Sequence, residues 1–169
     1  MALPILSHAE LDSLLEPAIS SPDSFDSIAF SVVELLDSTQ TQLEIVDFQS
    51  WRREPSHFST GTSSSFLNQF RADVDTIKTL DRQEEGRLAR RIEFARLRLE
   101  MATSEAGLTS EAVEAGIAHA GLGWTSEVAE QTVLASQLPA EVARRWVELH
   151  ALRTELVERN LYLVLINVE

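Results

Sequence analysis

One short part of the chain gathers the side chains best suited to holding nucleic acid. Phe70 and Arg71 stand side by side, and Arg87, Arg90 and Arg91 follow closely. Aromatic rings stack on unpaired bases, and guanidinium groups bond phosphate and lie over π faces. The same residue types have a plainer use. Arg87, Arg91 and Arg98 fall near one helical stripe with Arg90 beside it, and Glu84, Glu93 and Glu100 lie within pairing reach. A solvated helix face laced with ion pairs is the commoner arrangement. Spacing alone does not choose between the two.

Other chemistry is sparse. The chain has no Gly-rich phosphate loop and no G-x-S-x-G elbow. His8, His57, His119 and His150 are scattered and read as isolated surface histidines. Acidic pairs such as Glu84–Glu85 read as helix caps and solvated faces. No catalytic residue, cofactor or metal is expected, and the chain is not read as an enzyme.

The elements that must position these arginines are helical nearly throughout, so the expected fold class is all-α. Asp81 and Glu84 form a capping box at the start of a helix. The helix then carries Leu88, Ile92, Ala95 and Leu99 at spacings that make one buried stripe. Before it, Leu67, Phe70, Val74 and Ile77 suit a shorter helix or turn. Upstream, Ser7 and Glu10 form another capping box, opening a short helix that fails near Pro17. Phe25, Ile28, Ala29, Val32, Val33 and Leu36 share a second helical face. The stretch 41–48 allows a short strand. Downstream, 104–124 is glycine-bearing and reads as short helices and loops, and 125–138 as a modest helix. Pro139 suits a first helical turn, and no Gly or further Pro follows. One helix from 139 to 169 is expected, about 46 Å long at 1.5 Å per residue. Trp146, Leu149, Leu152, Leu156 and Leu163 line its apolar face, which Val157, Leu161, Val164 and Val168 widen.

Charge marks the organisation. The chain has 169 residues, no cysteine and a net charge of −13. Residues 1–70 carry ten acids and two basic residues; residues 71–100 carry eight basic residues and seven acids; residues 101–169 carry ten acids and four arginines. The overall sign argues against wrapping nucleic acid with the whole surface, but a local basic segment still meets phosphate. The length supports a core without staples. Without cysteine, disulfides, thiol nucleophiles and zinc–thiolate sites are excluded, which fits a cytoplasmic setting. No stretch approaches the roughly 18 apolar residues of a membrane span, so no membrane partner is expected.

Two stretches resemble the sigma-70 family, the initiation factors of bacterial RNA polymerase. "FRADVDTIKTLDRQEEGRLARRIEFAR" is similar to region 1.2, which reads as an aromatic, a short helix, "LLTREEE" and "LAKRIE". Leu80 to Glu85 match the turn, and Leu88 to Glu93 match the helix. "RTELVERNLYLVLINVE" is similar to the start of region 2.1, whose signature is "ANLRLVVSIAKKY", with Asn160 to Leu165 as the counterpart. The resemblance covers about residues 66–100 and 150–169. Tyr162 stands where the family has arginine, Asn167 interrupts an apolar position, and Asp73 and Asp75 make the segment before the turn more acidic than usual.

The resemblance implies core RNA polymerase and promoter DNA, on its non-template strand near the discriminator, as partners. By position Phe70 matches the family's aromatic, and Arg71 the neighbour that faces the discriminator bases. Arg82, Arg87, Arg90 and Arg91 follow as contacts to backbone phosphate or polymerase. The implied division is an acidic, partly disordered N-terminal segment (1–58), a Ser/Gly linker (59–65), the region 1.2-like helices (66–100), a variable helical spacer (101–138) and a long helix ending in the region 2.1-like start (139–169). The family's later regions have no counterpart up to Glu169, so the expectation is the N-terminal part of a longer factor. The alternative is a truncated or stand-alone acidic helical interaction protein. Should the chain end at Glu169, the apolar face of its last helix is expected to drive self-association.

Overall fold

Both capping boxes form. The Ser7 hydroxyl accepts from the Glu10 N–H while the Glu10 carboxylate accepts from the Ser7 N–H, opening helix α1 (His8–Leu15). The Asp81 carboxylate accepts from the N–H groups of Gln83 and Glu84, each at 2.8 Å, and opens α5 (Arg82–Glu105). These devices satisfy backbone donors that helix starts leave without partners. The computed structural model describes residues 3–54, 66–118 and 126–168. The expected linker 59–65, His57 and His119 lie outside the described residues.

The fold is all-α in class, with one small exception. After α1 come α2 (Pro17–Ser20), with proline in its first turn, and α3 (Phe25–Ser38). Strand β1 (Ile5–Leu6) then pairs in parallel with β2 (Gln42–Leu43), Ile5 opposite Gln42 and Leu6 opposite Leu43. The three helices form the crossover that a parallel pair needs. A short 3₁₀ turn at Phe48–Trp51 follows. Then come α4 (Phe66–Asp75), α5, α6 (Ser110–Ala118), α7 (Ser126–Ala135), α8 (Ala140–Arg159) and α9 (Tyr162–Val168).

Helix α5 is the axis of the molecule. Leu88, Phe94 and Ala95 are buried against Leu11 and Leu15 of α1, Val33 and Leu36 of α3, and Leu149 and Leu152 of α8. Each of these leucine, valine and phenylalanine side chains contributes roughly 2 kcal/mol by leaving water. The stripe expected on α5 is only partly the buried one. Leu88 and Ala95 are buried, Ile92 and Leu99 pack at the edge, and Phe94 and Arg98 take the inner positions. Helix α5 ends in a left-handed Gly107 (φ 65°). The Gly107 N–H bonds the Ser104 carbonyl and the Leu108 N–H the Thr103 carbonyl, a pattern that glycine enters without strain. A second cluster, of Ala102, Val113 and Val142, joins α6 to α5 and α8. Leu138 lies so close to Gly116 that a Cβ there would stand 2.7 Å from it.

Over residues 3–54 the acidic N-terminal segment is folded: the inner faces of α1 and α3 supply half of the main core, Glu10, Glu16, Asp26 and Glu34 stay exposed, and Asp12 and Asp37 turn inward to Arg91 and Arg98. One expectation is corrected. The long C-terminal helix is present as α8, 20 residues, but it does not run to 169. It stops at Arg159, and a turn at Asn160–Leu161 precedes α9. Nor is its inner face purely apolar: Arg145, Glu148 and Glu155 are buried on it, while Val157 is exposed.

Candidate functional site

The residues proposed for nucleic acid sit on α4, on α5 and around the turn between them. Helix α4 ends as the Thr76 and Ile77 N–H groups bond the Asp73 and Val74 carbonyls. Val74 and Ile77 face inward and are buried. The turn is then held on two sides. On one side Ile77 bridges Arg52: the Arg53 N–H reaches the Thr76 carbonyl at 2.7 Å and the Lys78 N–H the Trp51 carbonyl at 2.8 Å. On the other, Arg159 at the end of α8 donates to the carbonyls of Lys78 (2.9 Å) and Thr79 (3.4 Å) and to Glu84 (3.3 Å). Glu155 steadies the same guanidinium at 2.9 Å. One residue further back, Glu158 accepts from the Trp51 indole at 3.0 Å. Turn, 3₁₀ segment and helix end thus form one clamp.

On this frame the six candidates differ. Phe70 and Arg71 are half-buried on α4. Arg82 and Arg87 are exposed on α5, Arg90 is half-buried, and none of these three forms an ion pair among the described residues. Arg91 turns inward. Its Nε and Nη2 bond the two Asp12 oxygens at 2.8 and 2.5 Å, and Nη1 lies 3.4 Å from His8 Nδ1. A guanidinium held by both carboxylate oxygens is a structural tie between α5 and α1. Arg91 therefore stands apart from the outward-facing Arg82 and Arg87.

Arg98 departs furthest from the solvated-face reading. It is 0% exposed, with Nη2 2.6 Å from Asp37 and 2.6 Å from the Thr41 carbonyl, and Nη1 3.4 Å from Glu148. Arg145 meets the same two carboxylates, Asp37 at 3.0 Å and Glu148 at 3.1 Å. Glu148 also accepts from the Leu43 N–H of β2, at 2.8 Å. Burial pushes the Glu148 carboxyl up, and Arg145 and Arg98 pull it down. Four charges of alternating sign thus lock α3, β2, α5 and α8 together. On the outer part of α5, Glu93 and Glu100 are paired as solvated-face carboxylates, but with Arg96 in place of the expected Arg87, Arg91 and Arg98.

The two histidines that are described are not isolated surface groups. The pKa of His8 is lowered by burial, and the Arg91 charge adds to this. His150 stacks on Trp146 with ring centroids 4.8 Å apart, and burial lowers its pKa too. Trp146 also lines a groove of about 500 Å³ with Leu99, Leu108 and Val113. Its rim mixes Arg96 and Arg153 with Glu100 and Glu114, so no single charge is selected. Among the described residues, no group of three or more His, Asp or Glu side chains is placed to hold a metal ion. None of the described helices is long and apolar enough to cross a membrane.

The arrangement offers exposed cations beside a rigidly held turn, which suits contact with phosphate. Sequence reasoning missed the Arg98–Glu148 lock and the Arg159 clamp. A signal was present for the first: Arg98 lies four residues from both Phe94 and Ala102, on the buried stripe. No family model matches the chain, and no curated protein or solved structure shows significant similarity to it.

Proposed function

We propose that this chain is the N-terminal part of a sigma-70-like initiation factor, which docks on core RNA polymerase and contacts promoter DNA near the discriminator. It modulates an enzyme and is not one itself. The reading puts it in the bacterial cytoplasm. The observation that carries it is the packing of α5 on α8, with Arg159 bonded to the 78–79 turn and Glu84. The two stretches that resemble regions 1.2 and 2.1 are far apart in the chain, yet they are direct neighbours. Glu84 of the capped turn meets Arg159, which lies in the second stretch and immediately precedes the Asn160–Leu165 counterpart. The exposed Arg82 and Arg87 supply the phosphate contacts, with Phe70 and Arg71 on α4 beside the turn.

The test is co-purification of the chain with bacterial core RNA polymerase, followed by binding of a fluorescent promoter fork to the complex. Arg82→Ala/Arg87→Ala is expected to weaken fork binding and to lower the slope of log K against log salt by about two. Arg71→Ala is expected to weaken binding most to forks with an unpaired discriminator. If the chain fails to co-purify with polymerase, or if all three arginines are silent, the reading is abandoned.

A further inference from the structure

The chain from Ala140 to Val168 contains no glycine and no proline, yet its helix breaks at Asn160–Leu161. The break is shallow. Asn160 has φ −108° and ψ 5°, roughly 45° from helical values in each angle. The Leu161, Leu163 and Val164 N–H groups bond carbonyls three residues back, the tighter 3₁₀ pattern, in place of the four-residue span of an α-helix. The Asn160 side-chain amide occupies the Leu156 carbonyl at 2.8 Å. In a continuous helix that carbonyl would take the Asn160 N–H. One side chain therefore substitutes for one helical bond and holds the break open.

The apolar gain of α9 at Val164 and Ile166 is small. The helix packs on α4, but Val164 is 47% exposed and Ile166 65% exposed. Apolar side chains this open contribute little to holding a seven-residue helix in place. Arg159, just before the break, stays bonded to the 78–79 turn whichever way α9 points, because its partners lie on the α4–α5 side.

We infer that Asn160 is a hinge, and that α9 is a strap which undocks from α4 and continues α8 as one straight helix. The two states exchange α4–α9 packing and the Asn160 side-chain bond for a run of regular helical bonds.

Because the chain has no cysteine, two introduced cysteines carry spin labels cleanly. Labels at Asn68 on α4 and Ile166 on α9 report docking by pulsed electron resonance. Both positions are exposed. Asn160→Ala removes the side-chain bond and favours helix; Asn160→Gly also removes it but disfavours helix. The ratio of long to short distances is expected to be about fivefold higher for Ala than for Gly, following their helix preferences. A second pair, at Ala89 on α5 and Arg153 on α8, must keep one distance in both variants, which separates undocking from unfolding. Identical distance distributions for Ala and Gly at the first pair, with the second pair unchanged, overturn the hinge.

Discussion

Arg98 turns a helix stripe that looks amphipathic into a buried electrostatic joint. Removing one partner of such a joint leaves the other buried and poorly compensated, which costs more than removing both. Arg98→Leu is expected to destabilise the chain by about 3–5 kcal/mol in urea denaturation. Arg98→Leu/Glu148→Leu is expected to be less unstable than the sum of its single variants, since Arg145 retains Asp37 and Glu141. Strict additivity would mean that the two side chains do not act as a pair. His8 gives the pH dependence. Its pKa is depressed in the folded chain by burial and by Arg91, against about 6.5 when unfolded. The contribution of neutral His8 to stability is therefore present above about pH 6.5. It falls as the pH drops toward the depressed folded value, because only the unfolded chain takes up the proton. The thermal midpoint should decline from about pH 7.5 to about pH 5.5, a window that spans the unfolded value. The decline should be shallower in His8→Gln, although not absent, because His150 is displaced in the same direction.

At the scale of elements, the start of α5 is the most consequential local structure. Asp81 satisfies two backbone donors, and the Glu84 carboxylate both accepts from the Asp81 N–H and meets Arg159. Asp81→Ala is expected to cost about 1 kcal/mol of stability. Unchanged chemical denaturation would show that the cap is redundant with the clamp. The capping boxes, the α5 stripe at Leu88 and Ala95, the α3 face and the break after Leu15 at Pro17 were all legible in the sequence. Each follows from a local rule of spacing or of backbone donors. The end of α8 was not legible. Nothing in the residue types around Asn160 forbids helix there, and the break reflects packing of α9 on α4 and one side-chain bond. Arg159 was equally hidden, since its partners are carbonyls about 80 residues earlier in the chain. The candidate site was half legible: the residue types were found, but Arg91's tie to Asp12 required knowing that α1 packs on α5.

For the molecule as a whole, the N-terminal helices matter more than their charge suggests. Leu11 and Leu15 are almost wholly buried in the same cluster as Leu88 and Leu152. Leu11→Ala is expected to destabilise the chain by about 2–5 kcal/mol, judged by the urea midpoint. A free acidic tail would give no change. Acids outnumber basic residues by 27 to 14, and the inward arginines Arg91, Arg98 and Arg145 are each paired with carboxylates, so the excess of acid stays on the surface.

The bond from the Leu43 N–H to Glu148 also sets a timetable. Its partners are 105 residues apart. At roughly 5–20 residues per second, a ribosome needs about 5–20 s to make the second after the first. Through that interval α1, α3 and β2 have emerged without the helix that closes their core and without a buried acceptor for that N–H. Contacts of such long range slow folding because the loop must close before they form. The acids on the outer faces of α1 and α3 then keep the waiting segment soluble through self-repulsion, long before they decorate a finished surface.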